Sequence, residues 1–240
     1  MDRETRTLLI VDSSASHRFY LGTMLRRLTY IVHGAASAED ALKSMDERPP
    51  SLVITDYALP GMNGIDLLMW MKRDQRLMTI PIIMQSAEDG PGMKERCMDA
   101  GCLAYFKKLA NIDTLYKVIQ ARLESSPRQS LRIETAFRVE ISDGAAPGGA
   151  VREEYVTSLS DGGLYIESLS PEPVNAILTL KLFINDRVIT VTAIVLYSTW
   201  VFGAGSGGPG MGLRFVTISK PDRVYIWDYI RQQLSRDLSL

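Results

Sequence analysis

Leu52-Val-Ile-Thr-Asp56-Tyr-Ala-Leu-Pro60-Gly-Met-Asn-Gly64 holds the clearest structural signal in the chain. Leu52–Thr55 reads as a short, buried strand, because a run of apolar and β-branched residues of this length suits a sheet covered on both faces. The run stops on a carboxylate. Pro60, Gly61, Asn63 and Gly64 then follow within a few residues and mark a loop. A strand that ends on an acid just ahead of a loop is what an open α/β sheet uses to build a site at its carboxyl edge.

The same pattern recurs on either side. Leu8–Val11, Ile31–Ala35, Ile82–Gln85 and Ala104–Phe106 read as further strands. Between them, Leu21, Met24, Leu25 and Leu28 fall at helical spacing, as do Ile112, Leu115, Tyr116 and Ile119, with Leu123 extending the stripe. Strand–helix alternation predicts a parallel sheet with helices on both faces. Four of the predicted strand ends carry or adjoin polar residues, namely Asp12, Asp56, Ser86 and Lys108. One acid at a strand end is commonly a solvated side chain, but four such groups in successive βα units point to a site.

Near Ser125-Ser126-Pro127 the chain becomes β-rich. Phe137–Ile141, Val151–Thr157, Leu164–Glu167, Ile177–Ile184, Val188–Tyr197 and Met211–Val216 read as strands, with Asn185-Asp186 as a hairpin turn. Gly203–Gly212 is too rich in glycine to predict regular structure. A closing helix from about Pro221 to Arg236 offers Ile226, Trp227, Ile230 and Leu234 as its buried face. The predicted fold is therefore an α/β doubly wound parallel sheet over residues 1–124, then a small antiparallel β-barrel with a C-terminal helix over 125–240. Residues 125–133 are expected to serve as linker and, through Arg128 and Arg132, as a loop able to clamp an anionic ligand.

With 240 residues, 46% of them hydrophobic and 23% charged, the composition is that of an ordinary soluble protein. A net charge of -1 argues against general binding to DNA or an anionic membrane. No apolar run is long enough to insert in a membrane, and the N-terminus lacks the apolar core of a signal peptide, so a cytoplasmic protein is expected. Cys97 and Cys102 fit neither a disulfide framework nor a zinc spacing and read as buried free thiols. His17 and His33 have no evident catalytic partner, and a surface role is expected for His17 at the start of the first helix.

Residues 6–124 resemble the receiver domain of two-component response regulators, a flavodoxin-like fold. The matching text is Leu-Ile-Val-Asp12, Ile-Thr-Asp56-Tyr-Ala-Leu-Pro60-Gly-Met62-Asn-Gly64, Met-Gln-Ser86-Ala and Ala-Gly101-Cys-Leu-Ala-Tyr105-Phe-Lys-Lys108. The resemblance implies that Asp56 accepts a phosphoryl group from a sensor histidine kinase, with Mg²⁺ held by Asp12 and Asp56. It further implies that Ser86 donates to the phosphoryl oxygens, Lys108 pairs with the acquired charge, and Tyr105 then turns inward. Two positions depart from the family. Ser13 stands in place of a second acid, and a neutral hydroxyl weakens Mg²⁺ binding. Leu109 replaces the proline after the lysine, where a cis bond would cost roughly 2.5–4 kcal/mol and a trans bond would move Lys108. Two readings follow: a working phosphoryl switch, or a degenerate receiver that serves in docking or dimerisation.

Arg128-Gln-Ser-Leu-Arg132 sets two guanidinium forks four residues apart, each able to grip a phosphate or a guanine edge. Ser158-Leu-Ser160-Asp-Gly-Gly163 follows, with a small hydroxyl and a glycine pair that allow close approach. Together they resemble the PilZ family, whose signature is RxxxR followed by [D/N]xSxxG and whose usual ligand is cyclic di-GMP. The resemblance covers roughly residues 127–236. It implies that Arg128 and Arg132 clamp phosphates and guanine edges while Ser160 and Gly163 shape the opposing turn. Ser158 replaces the family's Asp or Asn, and one lost hydrogen bond of about 0.5–1.5 kcal/mol implies roughly two- to twentyfold weaker binding. Arg138 is expected to be an exposed strand side chain. The competing reading has Arg128 and Arg132 paired with receiver carboxylates.

These expectations describe a cytoplasmic, non-enzymatic signalling adaptor with no DNA-binding or catalytic output segment and an unnamed downstream protein target. The short connection between the halves would couple phosphorylation and nucleotide binding to domain orientation. Motility and biofilm control are the processes implied by resemblance. The alternative is a scaffold of two degenerate domains that acts by protein–protein docking alone.

Overall fold

A computed structural model describes residues 6–88, 90–108, 111–125, 127, 130–142, 151–200 and 208–236. Leu109 and Arg128 lie outside the described residues. The chain divides into two compact units between Gln129 and Ser130.

In the first unit β1 (Thr7–Val11), β2 (Ile31–Ala35), β3 (Leu52–Asp56), β4 (Ile82–Ser86) and β5 (Ala104–Lys107) alternate with α1 (Ala15–Arg27), α2 (Ala38–Glu47), α3 (Gly64–Arg73), α4 (Met93–Ala100) and α5 (Ile112–Leu123). All strand pairs are parallel, in the order β2-β1-β3-β4-β5. Every residue of β3 and β4 is buried, as central strands under two helical layers must be. Leu21, Met24, Leu25 and Leu28 face the core from the first helical segment, and Leu115, Tyr116 and Ile119 from α5. Gln120 is buried among them, where its side-chain amide donates to the Tyr30 hydroxyl at 2.5 Å.

Asn63 starts α3 in a capping box, accepting from the Ile65 and Asp66 backbone N–H groups while the Asp66 carboxylate accepts from the Asn63 N–H. Gly64 is fixed by space: a Cβ there would lie 2.5 Å from the Asp56 carbonyl oxygen and 2.6 Å from the Met84 sulfur. The turn after Asp56 therefore packs tightly on the sheet edge that it leaves.

In the second unit β6 (Arg132–Ser142), β7 (Arg152–Ser160), β8 (Gly163–Glu167), β9 (Ile177–Ile184), β10 (Arg187–Thr199) and β11 (Gly210–Thr217) form a closed barrel in the order β10-β11-β8-β7-β6-β9. Every pairing is antiparallel. Asn185 and Asp186 make the two-residue turn between Ile184 and Arg187, with Asn185 at φ 50°. α6 (Lys220–Ser235) packs on β6, where the Tyr229 and Thr135 hydroxyls lie 3.0 Å apart. Its first turn is tied to the β9–β10 hairpin through Asp222 and Arg187, 2.6 Å apart.

Three expectations are corrected in this unit. β6 begins at Arg132, earlier than Phe137, because Arg132 pairs with Ser160 and the buried Ile133 with Leu159. Arg132 and Ile133 are thus strand residues rather than part of a loop. β11 begins at Gly210, inside the glycine-rich run read as irregular. A Cβ at Gly210 would meet the Ile166 carbonyl oxygen at 2.2 Å, and one at Gly212 the Tyr197 ring at 2.3 Å, so glycine is what lets the strand pass there. In α6, Trp227 is half-buried under Arg231, and Tyr229 takes its expected place in the core beside Ile226, Ile230 and Leu234.

Candidate functional site

The polar strand ends converge. Asp56 and Ser86 are the last residues of β3 and β4, Asp12 directly follows β1, and Lys108 directly follows β5. Parallel neighbours in register carry them to one edge of the sheet. The Lys108 ammonium lies 2.5 Å from Asp56 Oδ2 and 2.8 Å from Asp12 Oδ2, and all three side chains are largely buried. The other Asp56 oxygen accepts the Ala58 backbone N–H at 3.1 Å. Ser86, also buried, accepts the Glu88 N–H on its hydroxyl at 3.2 Å, and its carbonyl accepts the Lys108 N–H at 2.7 Å. Tyr105 is half-buried and donates its hydroxyl to the Glu88 carbonyl at 3.0 Å. The Glu88 backbone is thereby held from both sides, by Ser86 and by Tyr105.

Burial by itself would raise the Asp12 carboxyl; hydrogen bonds from His17, Lys108 and the Ser14 N–H outweigh it and hold Asp12 down to about 2. Burial opposes the Lys108 charge, and its bonds to Asp12 and Asp56 overcome this and push it up. Asp12 is therefore anionic and Lys108 cationic at neutral pH. The ammonium also tests the fit for a metal, since it occupies a cation position between two carboxylate oxygens. Carboxylate oxygens suit a hard divalent ion such as Mg²⁺, which Asp12 and Asp56 would hold. Ser13 is exposed and adds no third anion.

His17 corrects the sequence reading. Its Nδ1 lies 2.8 Å from Asp12 Oδ2, and the side chain is only 12% exposed, so it belongs to the site and not to the surface. Ser14 caps α1, accepting the His17 N–H on its hydroxyl and donating its own N–H to Asp12 Oδ1 at 2.8 Å, which folds the first helical turn back onto Asp12.

On the barrel, Arg132 lies opposite Ser160 across the β6–β7 pair, and Ser160 opposite Gly163 across β7–β8. Arg132 is half-buried, and its side chain makes no hydrogen bond or ion pair to another described residue. The Ser160 hydroxyl donates to the Gly163 carbonyl at 3.0 Å. A Cβ on Gly163 would stand 2.2 Å from the Leu213 carbonyl oxygen, so the close approach at this glycine is made by the backbone of β11. Ser158 is half-buried and faces Glu134 and Tyr165 across its two neighbours. Arg138, expected to be an exposed strand side chain, lies in β6 and is half-buried; it pairs with Glu140 and Glu153 and lies over the Phe183 ring at 3.7 Å.

Residues 8–120 match the response regulator receiver domain. The two-component response regulator ORR13 of Oryza sativa subsp. japonica is 30% identical over 113 residues, which are 47% of this chain and 93% of that protein. The chain belongs to the response regulators. ORR7 of the same rice is 34% identical over 102 residues, 42% of this chain and 49% of that protein, so this response regulator spans about half of that relative. The polar-differentiation response regulator DivK of Brucella ovis is 27% identical over 119 residues, 50% of this chain and 97% of DivK. Among solved structures, the chemotaxis response regulator CheY4 of Vibrio cholerae is 27% identical with a TM-score of 0.47, over 50% of this chain and all of CheY4.

The matched residues contain every receiver position named from the sequence: Asp12, Ser13, Asp56, Ser86, Tyr105 and Lys108. In the receiver, all but Ser13 are linked through the hydrogen bonds above. Among the described residues, no helix is long and apolar enough to cross a membrane.

Proposed function

We propose that this response regulator takes a phosphoryl group on Asp56 from a sensor histidine kinase and binds cyclic di-GMP on its barrel, reporting both through contacts with a downstream protein in the cytoplasm. The observation that carries the first part is the Lys108 ammonium set between Asp56 and Asp12, with the Ser86 hydroxyl on the adjoining strand. An Asp56 carboxylate oxygen attacks the phosphorus of a phosphohistidine. The new O–P bond forms as the N–P bond breaks, and the imidazole leaves with the electron pair. Lys108 then faces a group bearing about -1.5 to -2 charges, and the Ser86 hydroxyl turns toward its oxygens. Mg²⁺, when bound, supplies further neutralisation of those oxygens. Rotation of the Ser86 hydroxyl toward those oxygens that carries it off the Glu88 N–H would loosen the segment that Tyr105 holds from its other end.

Exposure to acetyl phosphate or beryllofluoride tests this half. A mass gain or adduct on wild-type protein, absent from Asp56→Asn, is expected. Unchanged wild-type protein at high Mg²⁺ would instead favour a receiver that only docks partners.

The support for the second part is Arg132, without a hydrogen bond or ion pair among the described residues, in line with Ser160 and Gly163 in an antiparallel barrel followed by a helix. Arg128 joins Arg132 in the clamp by its place in the RxxxR motif. Ser158 offers a shorter acceptor than Asp or Asn and weakens the site without abolishing it. Calorimetric titration with cyclic di-GMP is expected to show low-micromolar or tighter binding, lost in Arg128→Ala, Arg132→Ala. No heat at high protein concentration would turn the barrel into a protein-docking surface.

A further inference from the structure

We infer that Arg214, on β11, is a second half of the nucleotide clamp, gripping a phosphate from the side opposite Arg132. The inference rests on the cyclic dinucleotide reading above and adds a residue and a face to it. Cross-strand register carries the argument. Arg132 faces Ser160, Ser160 faces Gly163, and Gly163 faces Arg214, so the four form one row across β6, β7, β8 and β11. The adjacent row is Ile133, Leu159, Leu164 and Leu213, all buried in the barrel interior. Because successive side chains alternate between faces, the arginine row points out of the barrel. Its middle positions carry a hydroxymethyl and a hydrogen. The two arginines therefore stand at the ends of a row whose small middle residues, Ser160 and Gly163, are buried, about three strand spacings long and roughly 14 Å between Cα atoms.

Charge pairing separates these two arginines from the rest of the barrel strands. Arg138 pairs with Glu140 and Glu153, Arg152 with Glu154 and Glu172, and Arg187 with Asp222. Arg132 and Arg214 have no such partner among the described residues, and Arg214 is exposed. Two unpaired guanidiniums at either end of a small-residue row call for an anion that reaches both. The next outward row names its class. Ser158 faces Tyr165, Tyr165 faces Gly212, and Gly212 faces Tyr197. The Tyr165 and Tyr197 rings lie 6.2 Å apart at 28°, with Tyr197 against the buried Gly212, an aromatic surface fit for a purine base next to the phosphate clamp. A nucleotide with more than one phosphodiester matches this pattern better than an inorganic ion.

The test is calorimetric titration of the full chain with cyclic di-GMP, using wild type, Arg132→Ala, Arg214→Ala, Arg214→Lys and Arg138→Ala. Loss of a charge-assisted contact predicts binding roughly 10- to 100-fold weaker in Arg214→Ala. Partial retention is expected in Arg214→Lys, which keeps the charge and loses the fork, and wild-type affinity in Arg138→Ala. Unchanged circular dichroism and melting would show that the barrel is intact. If Arg132→Ala loses binding while Arg214→Ala stays within about twofold of wild type, Arg214 is no ligand residue and the cyclic dinucleotide reading survives. If the wild-type protein binds nothing, both fall together.

Discussion

At the scale of single residues, the receiver site is a balance of two buried carboxylates against one ammonium, with His17 steadying Asp12. Removing the ammonium leaves the two acids facing each other, so Lys108→Ala should destabilise the receiver by about 3–5 kcal/mol in urea unfolding. Added Mg²⁺ should restore more stability to that variant than to wild type, because the ion would take the vacated cation position. Asp12 makes a pH prediction. Its carboxyl lies at about 2 against an ordinary 3.8, so its linked stability is fully present above about pH 4 and is lost as pH falls toward 2. The difference is about 2 kcal/mol, seen as a steeper acid loss in wild type than in Asp12→Asn with chelator present. Burial likewise pushes the Cys102 thiol up to about 11, and Cys97 is fully buried, so neither should react with a thiol reagent at pH 8 before unfolding. The four strand-end groups and both thiols were legible from the sequence. His17 was not, because its role depends on how the Ser14 cap turns the first helical turn toward Asp12.

At the scale of elements, glycines decide where strands can approach. Gly163→Ala would put a Cβ against the Leu213 carbonyl and should cost about 2–4 kcal/mol of barrel stability in a denaturant melt, with the receiver helices unaffected. Gly64→Ala should act similarly on the receiver, through the Asp56 carbonyl and Met84. Continuous apolar runs located the receiver strands, and β-rich stretches located those of the barrel. The barrel pattern misjudged β11, where Gly210 and Gly212 resemble loop residues until Tyr165 and Tyr197 are seen lying against them. It also began β6 five residues late, since Arg132–Ala136 carries only one buried apolar side chain, Ile133. The Trp227 error has the same root: α6 buries positions 226, 229, 230 and 234, and a period read from four apolar residues leaves the phase of the helix open by one position.

At the scale of the whole molecule, the proposed function joins two inputs in one chain, and reciprocity gives a sharp expectation. If phosphorylation alters cyclic di-GMP affinity by some factor, the nucleotide must alter phosphoryl-state preference by the same factor. Titrations with and without beryllofluoride should therefore differ by roughly 5- to 150-fold, the usual range of such coupling. Identical affinities would mean two independent modules. The sequence by itself determined the α/β unit, the β-rich unit and the identities of Asp12, Asp56, Ser86 and Lys108, because strand periodicity and charged strand ends are local patterns. Only the tertiary structure decided that His17 reaches Asp12, that Gly163 serves the backbone of β11, and that Arg214 stands in line with Arg132. Those facts depend on register between strands distant in sequence and on how a helix turn folds back, and neither is written in local spacing.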